Sequence, residues 1–141
     1  MTRISFAAAL LGFGLLVSVR AFGHHSFAAE YDRSKPFEVK GTVTKVEWMN
    51  PHAYIYVDVK DESSGKVSNW AFELGNLSTL MRQGWRKDSL KPGDAVTVQA
   101  YRSKDGSNLG NGRSVVLADG RKVFAGSQAE EGGARGGDDR N

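Results

Sequence analysis

Apolar and polar residues alternate along several stretches of this chain, and a period of two is typical of half-buried β-strands. The clearest stretch runs from Phe37 to Trp48, where Gly41 predicts a bulge or bend in the strand. The same pattern predicts four further strands and a short sixth one. These cover residues 53–59, 67–74, 95–101, 114–117 and 122–124.

One stretch has helical instead of strand spacing. Leu77, Leu80 and Met81 are spaced i, i+3, i+4, which predicts a short helix near 76–83 that ends at Gly84. Three strands, a helix and two more strands is the element order of the five-stranded oligonucleotide/oligosaccharide-binding (OB) barrel. The predicted fold is therefore all-β with one short helix, a small OB-like Greek-key barrel. A small antiparallel sandwich is the alternative.

An OB barrel usually binds its ligands on strands two and three and on the loops that join strands one to two and four to five. The first of these loops contains Asn50-Pro51-His52, and the second is the glycine- and asparagine-rich stretch 103–112. The two most unusual loops of the sequence are thus predicted to lie where this fold binds ligands.

Residues 1–23 have the pattern of a secretory signal, with an apolar stretch from Ile4 to Val19 and small residues before a predicted cut after Gly23. A cut after Ala28 is an acceptable alternative. Retention as an anchor is disfavoured, because the apolar stretch is shorter than the ~20 residues that span a bilayer. The sequence therefore predicts a periplasmic or secreted protein without a membrane span after cleavage.

Three further segments follow the predicted signal: a polar lead-in over 24–36, the barrel domain over 37–126, and a disordered tail over 127–141 that is rich in glycine and charge. The formal net charge of +3 falls to +1 when the two arginines of the signal are lost, so no nucleic-acid partner is expected. The chain has no cysteine, which excludes disulfides, zinc–thiolate sites and cysteine nucleophiles. Catalysis is not indicated, since no hydrolase motif is present.

The histidines suggest a metal site. After cleavage, His24 would carry a free α-amine and an imidazole on one carbon, and His25 and His52 are the other two histidines of the chain. Nitrogen ligands in a planar arrangement favour Cu(II), and the thioether of Met49 would suit Cu(I). Copper is therefore the predicted cofactor. Solvated histidines without a metal are the alternative. Three neighbouring side chains are candidate outer ligands or second-shell acceptors: Glu30, Tyr31 and Asp32.

Aromatic and basic residues suggest a second kind of site. Tyr54 and Tyr56 share one face of a predicted strand, and with Trp70 they could stack on sugar rings or bases. Core packing is the alternative for such residues. Arg102 and Arg113 flank the 103–112 loop and could together hold a carboxylate or a phosphate, although a solvated hairpin base would look the same.

Several motifs resemble an uncharacterised family of secreted bacterial proteins, catalogued as domain of unknown function 6152. They are the start His24–Asp32, the Lys40–Val43 segment, Trp48–His52 and the Leu90–Asp94 turn. The resemblance covers most of residues 24–124 and implies export and a small β-rich domain. It implies no activity, cofactor or catalytic residue.

Three functions fit these observations. The first is an exported small-ligand or metal-binding module that takes copper through the N-terminal histidines. The second is a carbohydrate- or oligonucleotide-binding barrel, and the third is a protein–protein accessory domain of another exported protein. The first needs an intact His24 amine, the second needs exposed aromatic rings, and the third needs an apolar surface patch.

Overall fold

The computed structural model describes residues 26–126, which form six strands and two short helices. In chain order the elements are α1 (Phe27–Glu30), β1 (Tyr31–Glu47), β2 (Tyr54–Lys60), β3 (Val67–Glu73), α2 (Leu77–Arg82), β4 (Ala95–Ser103), β5 (Leu109–Leu117) and β6 (Lys122–Phe124). The prediction of an all-β chain with a helix between the third and fourth strands is confirmed. Helix α1 was not predicted. Within the described range, neither helix is long and apolar enough to cross a membrane.

The six strands form one sheet in the order β3-β2-β1-β4-β5-β6, and neighbours in this order are antiparallel. A further, parallel pairing joins β3 to β5, with Ala71–Glu73 opposite Leu109–Asn111. Each of the first five strands therefore pairs with at least two others, and the pairings run in a cycle from β1 through β2, β3, β5 and β4 back to β1.

The long strand β1 pairs with two different strands along its length. Its first part pairs with β4 as far as Thr42, and its second part pairs with β2 from Thr42 onwards. The change of partner occurs beside Gly41, where a Cβ atom would lie 2.2 Å from the backbone oxygen of Asp58. The irregularity in the pairing of β1 with β2 lies between Val43 and Lys45, and not at Gly41 where a bulge or bend was predicted. Gly41 instead permits a close approach of two backbones, because it has no side chain.

Strand β1 begins at Tyr31, six residues before the start predicted at Phe37. Tyr31 and Asp32 pair with Ser103 and Arg102 at the end of β4. The residues between Asp32 and Pro36 lie at an irregularity in this pairing. Alternation in the sequence does not reveal this part of the strand, because residues 32–35 are all polar.

The core lies on one face of the strands. On β2, Ile55 and Val57 are fully buried, whereas Tyr54 and Tyr56 on the opposite face are half-buried. This confirms the predicted assignment of the two faces. The largest core side chains come from all parts of the chain. They include Val43, Phe72, Leu74, Leu80, Trp85, Val98 and Val115.

Half of the glycine-rich stretch 103–112 is strand, which corrects the predicted long loop. Strand β5 begins at Leu109, so that only residues 104–108 separate it from β4. A Cβ atom on Gly110 would lie 3.1 Å from the rings of Phe37 and Phe72, and one on Gly112 would lie 2.8 Å from Leu74. These glycines therefore let β5 pack closely on the core. A glycine-rich stretch suggests a loop, but these two glycines belong to a strand and allow it to pack closely.

Candidate functional site

A buried carboxylate, that of Glu73, is the centre of the main polar cluster. Glu73 is the last residue of β3 and is 8% exposed. The hydroxyls of Tyr31 and Tyr54 donate to its Oε2 at 2.8 and 3.0 Å. On its other side, His52 Nδ1 lies 3.1 Å from Oε1. Both carboxylate oxygens are thus engaged, as a buried charge requires. We call these four residues the Glu73 cluster.

Strand geometry explains why these side chains meet. Phe72 and Leu74 point into the core, so Glu73 between them points to the opposite side of the sheet. Tyr54 is the antiparallel partner of Glu73 on β2, and its side chain lies on the same side. His52 lies in the loop just before β2. The local pairing of β2 with β3 therefore brings three of the four residues together.

Asn111 of β5 lies beside the cluster. It is the parallel partner of Glu73, and it lies between Gly110 and Gly112, both of which face the core. Its side chain therefore faces the same side as Glu73. Asn111 is 1% exposed, and its Oδ1 has no hydrogen-bond partner within residues 26–126. The surroundings of Glu73 thus include a buried acceptor that a donor group could still satisfy.

The fourth member, Tyr31, comes from the N-terminal segment. The ring of Phe27 in α1 packs against Tyr31 and Tyr101, with centroid distances of 5.5 and 5.6 Å. The backbone N–H of Lys104 donates to the carbonyl of Glu30 at 2.9 Å, and the Lys104 ammonium donates to the carbonyl of Ala28. The segment is therefore held to the β4–β5 turn, and Tyr31 is buried over Glu73.

The electrostatics of the cluster keep its phenols protonated. Burial, and then the negative charge of Glu73, raise the pKa of Tyr31 far above its usual value. The same two causes raise the pKa of Tyr54. An ionised phenol beside Glu73 would place two negative charges together out of water. Both hydroxyls therefore act as donors to the carboxylate throughout the physiological pH range.

A prediction for alkaline pH follows from Tyr31. In the unfolded chain this phenol ionises near pH 10, whereas in the folded chain it stays protonated. Its contribution to stability is therefore complete below pH 10 and is lost as the pH rises further, by about 1.4 kcal/mol per pH unit. Urea unfolding between pH 9 and 11 should show a steeper loss of stability for the unmodified protein than for Tyr31→Phe. Equal slopes would contradict the assignment.

A smaller carboxylate–phenol pair lies next to the cluster on the same face of β2. The hydroxyl of Tyr56 donates to Glu47 Oε2 at 3.1 Å, and the Lys45 ammonium contacts Glu47 Oε1. The ammonium also lies 5.1 Å from the centre of the Tyr56 ring. The hydrogen bonds from Lys45 and Tyr56 lower the pKa of Glu47. Each of the two tyrosines on this face thus donates to a carboxylate.

Comparison with known proteins adds a family but no activity. The sequence profile of a family of unknown function, DUF6152, matches residues 14–113, well over half of the chain. The chain belongs to DUF6152. The match ends within β5, so β6 lies beyond it. No curated protein and no solved structure matches the chain.

In this DUF6152 chain, the predicted metal ligands divide into two groups. His52 is part of the Glu73 cluster, and Met49 lies in the same loop with its side chain half exposed. His24 and His25 lie outside the described residues. Among residues 26–126, no three histidine, aspartate or glutamate side chains group closely enough to hold a metal ion.

The predicted stacking residues occupy different environments. Tyr54 and Tyr56 lie on the outer face, with their hydroxyls bound to carboxylates. Trp70 is 7% exposed and packs between Phe37 and Phe72, with centroid distances of 5.2 and 6.1 Å. Trp70 therefore has the core position that the sequence left open as the alternative.

The two arginines that flank the 103–112 stretch contact different rings. The guanidinium of Arg102 lies about 5 Å from the centres of the Phe37 and Trp70 rings. The guanidinium of Arg113 lies 4.9 Å from the centre of the Tyr101 ring. The guanidiniums of Arg102 and Arg113 thus both lie over aromatic rings, but not over the same ring.

Sequence reasoning missed Glu73 as a functional candidate. Its position in the alternating segment Trp70–Leu74 indicates a residue on the polar side of a strand, and this signal would place it next to Tyr54. Nothing local indicates that it is buried. Its burial depends on Tyr31, which lies 42 residues away in sequence.

Proposed function

We propose that this protein is an exported binding module, built on an OB-like barrel, that holds copper with its N-terminal histidines and His52. The cycle of strand pairings supports the fold part of this proposal. It joins β1, β2, β3, β5 and β4 in the order expected of a closed five-stranded barrel with a helix after its third strand. The predicted signal in residues 1–23 supports export.

The contact between His52 and Glu73 carries the metal part of the proposal. A carboxylate only accepts hydrogen bonds, so the ring proton of His52 belongs on Nδ1, which faces Glu73 Oε1 at 3.1 Å. The other ring nitrogen, Nε2, then has a lone pair for a metal. Histidines that bind metals commonly donate their other N–H to a carboxylate in this way. Burial of Glu73 among the two tyrosines makes this orientation rigid.

The position of Tyr31 supports His24 and His25 as the other ligands. Tyr31 donates to the same carboxylate that contacts His52, and His25 precedes Tyr31 by six residues. Four residues of this span form α1, where each advances ~1.5 Å, and an extended residue covers at most ~3.6 Å. This short span permits the predicted mature N-terminus to approach the His52 loop, and copper binding requires that it does. An amine and imidazoles provide the nitrogen ligands that Cu(II) prefers.

A carbohydrate or oligonucleotide site is less well supported. Stacking on bases or sugars needs exposed rings. Trp70 is almost fully buried, and the hydroxyls of Tyr54 and Tyr56 are already bound to carboxylates. The His52–Glu73 contact therefore favours the metal function.

Copper binding by the mature chain is the prediction that tests this function. N-terminal sequencing of the exported protein should begin at His24, and this protein should bind one Cu(II) with a nitrogen-rich electron paramagnetic resonance spectrum. His52→Ala should weaken binding by about tenfold or more, because one nitrogen ligand is lost. Glu73→Gln should weaken it by about 10- to 100-fold through the orientation of His52.

A matched control separates the roles of the amine and the imidazoles. One glycine added before His24 keeps all three histidines but moves the free amine off the carbon that carries the imidazole. This variant should also bind Cu(II) more weakly. If His52→Ala binds copper as tightly as the unmodified protein, His52 is not a ligand. An exported chain that begins at Ala29 would contradict the whole site.

A further inference from the structure

A groove of about 580 Å³ opens where β1 leaves β2. The pairing of β1 with β2 stops at Thr42 and Asp58, so the end of β2 and the turn after it lie apart from the first part of β1. Lys40, Lys60, Ser68 and Asn108 line the groove together with Trp70 and Arg102. Its volume is within the range of small-ligand sites. Neither His52 nor any other member of the Glu73 cluster lines it.

Arg102 is the most unusual residue of this groove. Its half-buried guanidinium lies 5.0 Å from the centre of the Phe37 ring and 4.9 Å from that of Trp70. No carboxylate and no other hydrogen-bond acceptor within residues 26–126 pairs with it. Contact with the two rings restricts the movement of the guanidinium. Its side-chain N–H donors therefore have no acceptor among the described residues.

Within residues 26–126, none of the three acidic residues of the groove forms an ion pair with Arg102. Glu38 Oε2 accepts from the side-chain amide of Gln99 at 3.0 Å. Asp61 Oδ1 accepts from Ser63 and Ser64 within the β2–β3 turn, at 2.6–2.8 Å. Glu62 is exposed on the same turn. The first two carboxylates have neutral partners and therefore keep their negative charge. With Glu62 they equal Lys40, Lys60 and Arg102 in number. Recognition of an anion here would therefore depend on direct hydrogen bonds from Arg102 and not on the net charge of the groove.

We infer that this groove is a second binding site, for a small anion that carries a carboxylate or a phosphate group, with Arg102 as its anchor. A planar guanidinium binds either group through two parallel N–H···O hydrogen bonds. Lys40 and Lys60 add positive charge on the neighbouring walls. The rings of Phe37 and Trp70 keep Arg102 preorganised, which lowers the entropic cost of binding.

The test is an NMR titration of the mature protein without copper. Inorganic phosphate and acetate are added separately, at an ionic strength held constant with sodium chloride. At least one of the two anions should shift the Arg102 Nε–H and Trp70 indole N–H signals in a saturable way, and which of them does so identifies the group that is recognised. Absence of saturable shifts with both anions would overturn the inference.

Substitutions then assign the binding to Arg102. Arg102→Met keeps an apolar cover over Phe37 and Trp70 and should weaken binding by about tenfold or more, as expected for loss of charge-assisted hydrogen bonds. Arg102→Lys should bind the anion with an affinity between those of the unmodified protein and Arg102→Met. This variant still tests the role of Arg102 if Arg102→Met folds poorly. Glu62→Gln should strengthen binding a few-fold.

The matched control is Arg121→Met. It removes the same charge from the β5–β6 turn, where Arg121 pairs with Asp119 at 2.7 Å and does not line the groove. Binding by this variant should be unchanged. Equal weakening by Arg121→Met and Arg102→Met would mean that net charge alone attracts the anion, and the inference would be wrong. Because His52 lies outside the groove, loss of copper binding in His52→Ala would leave this site intact.

Discussion

Glu73→Ala is expected to lower the free energy of unfolding by about 3 kcal/mol. The substitution removes the acceptor of two phenol hydroxyls and the partner of His52 in one step. Tyr31 is 2% exposed, so its hydroxyl would be left buried without an acceptor. A small domain has only ~5–15 kcal/mol of stability in total, so this loss is a large share. Urea unfolding monitored by circular dichroism measures it.

Glu47→Ala is the matched control for this prediction. Glu47 also accepts from a tyrosine hydroxyl on the same face of β2, and it also contacts a basic side chain. Water reaches Glu47, however, so the hydroxyl of Tyr56 can be solvated when the carboxylate is lost. Its substitution should change stability much less than Glu73→Ala. Similar losses for the two variants would show that burial of Glu73 does not matter for the fold.

Gly41→Ala is the second substitution with a large expected effect, a loss of about 3 kcal/mol or more. The added Cβ would lie 2.2 Å from the backbone oxygen of Asp58 and 2.7 Å from Val57 Cγ1. A backbone oxygen cannot rotate away as a flexible side chain can. The pairing of β1 with β2 must therefore open at the point where β1 changes partners. Thermal and urea unfolding would both report the loss.

Gly65→Ala provides the comparison for Gly41. Gly65 lies in the β2–β3 turn with a φ of 71°, and an added Cβ would meet no atom within 4 Å. Its substitution carries only the conformational cost of a left-handed backbone, about 1–2 kcal/mol. A larger loss at Gly65 than at Gly41 would contradict the close approach of β1 to Asp58.

Local patterns in the sequence predicted much of the fold. The alternation in Ala53–Val59 separates a buried face with Ile55 and Val57 from an outer face with Tyr54 and Tyr56, as observed. The spacing of Leu77, Leu80 and Met81 placed α2 correctly, and Asn76 caps it by accepting from the N–H of Thr79 at 2.9 Å. Such features depend on residues a few positions apart, and local sequence is sufficient to determine them.

Contacts between distant parts of the chain determined the rest. Composition could not show that Gly110 and Gly112 belong to a strand, because their role is to admit Phe72 of β3 and Leu74 just after it. Composition also could not show that Glu73 is buried, because the residue that covers its carboxylate is Tyr31. The sequence by itself thus determined the central parts of the strands, the two faces of β2 and helix α2. The tertiary structure alone decided which polar side chains share a buried site, because burial is set by partners that only folding brings together.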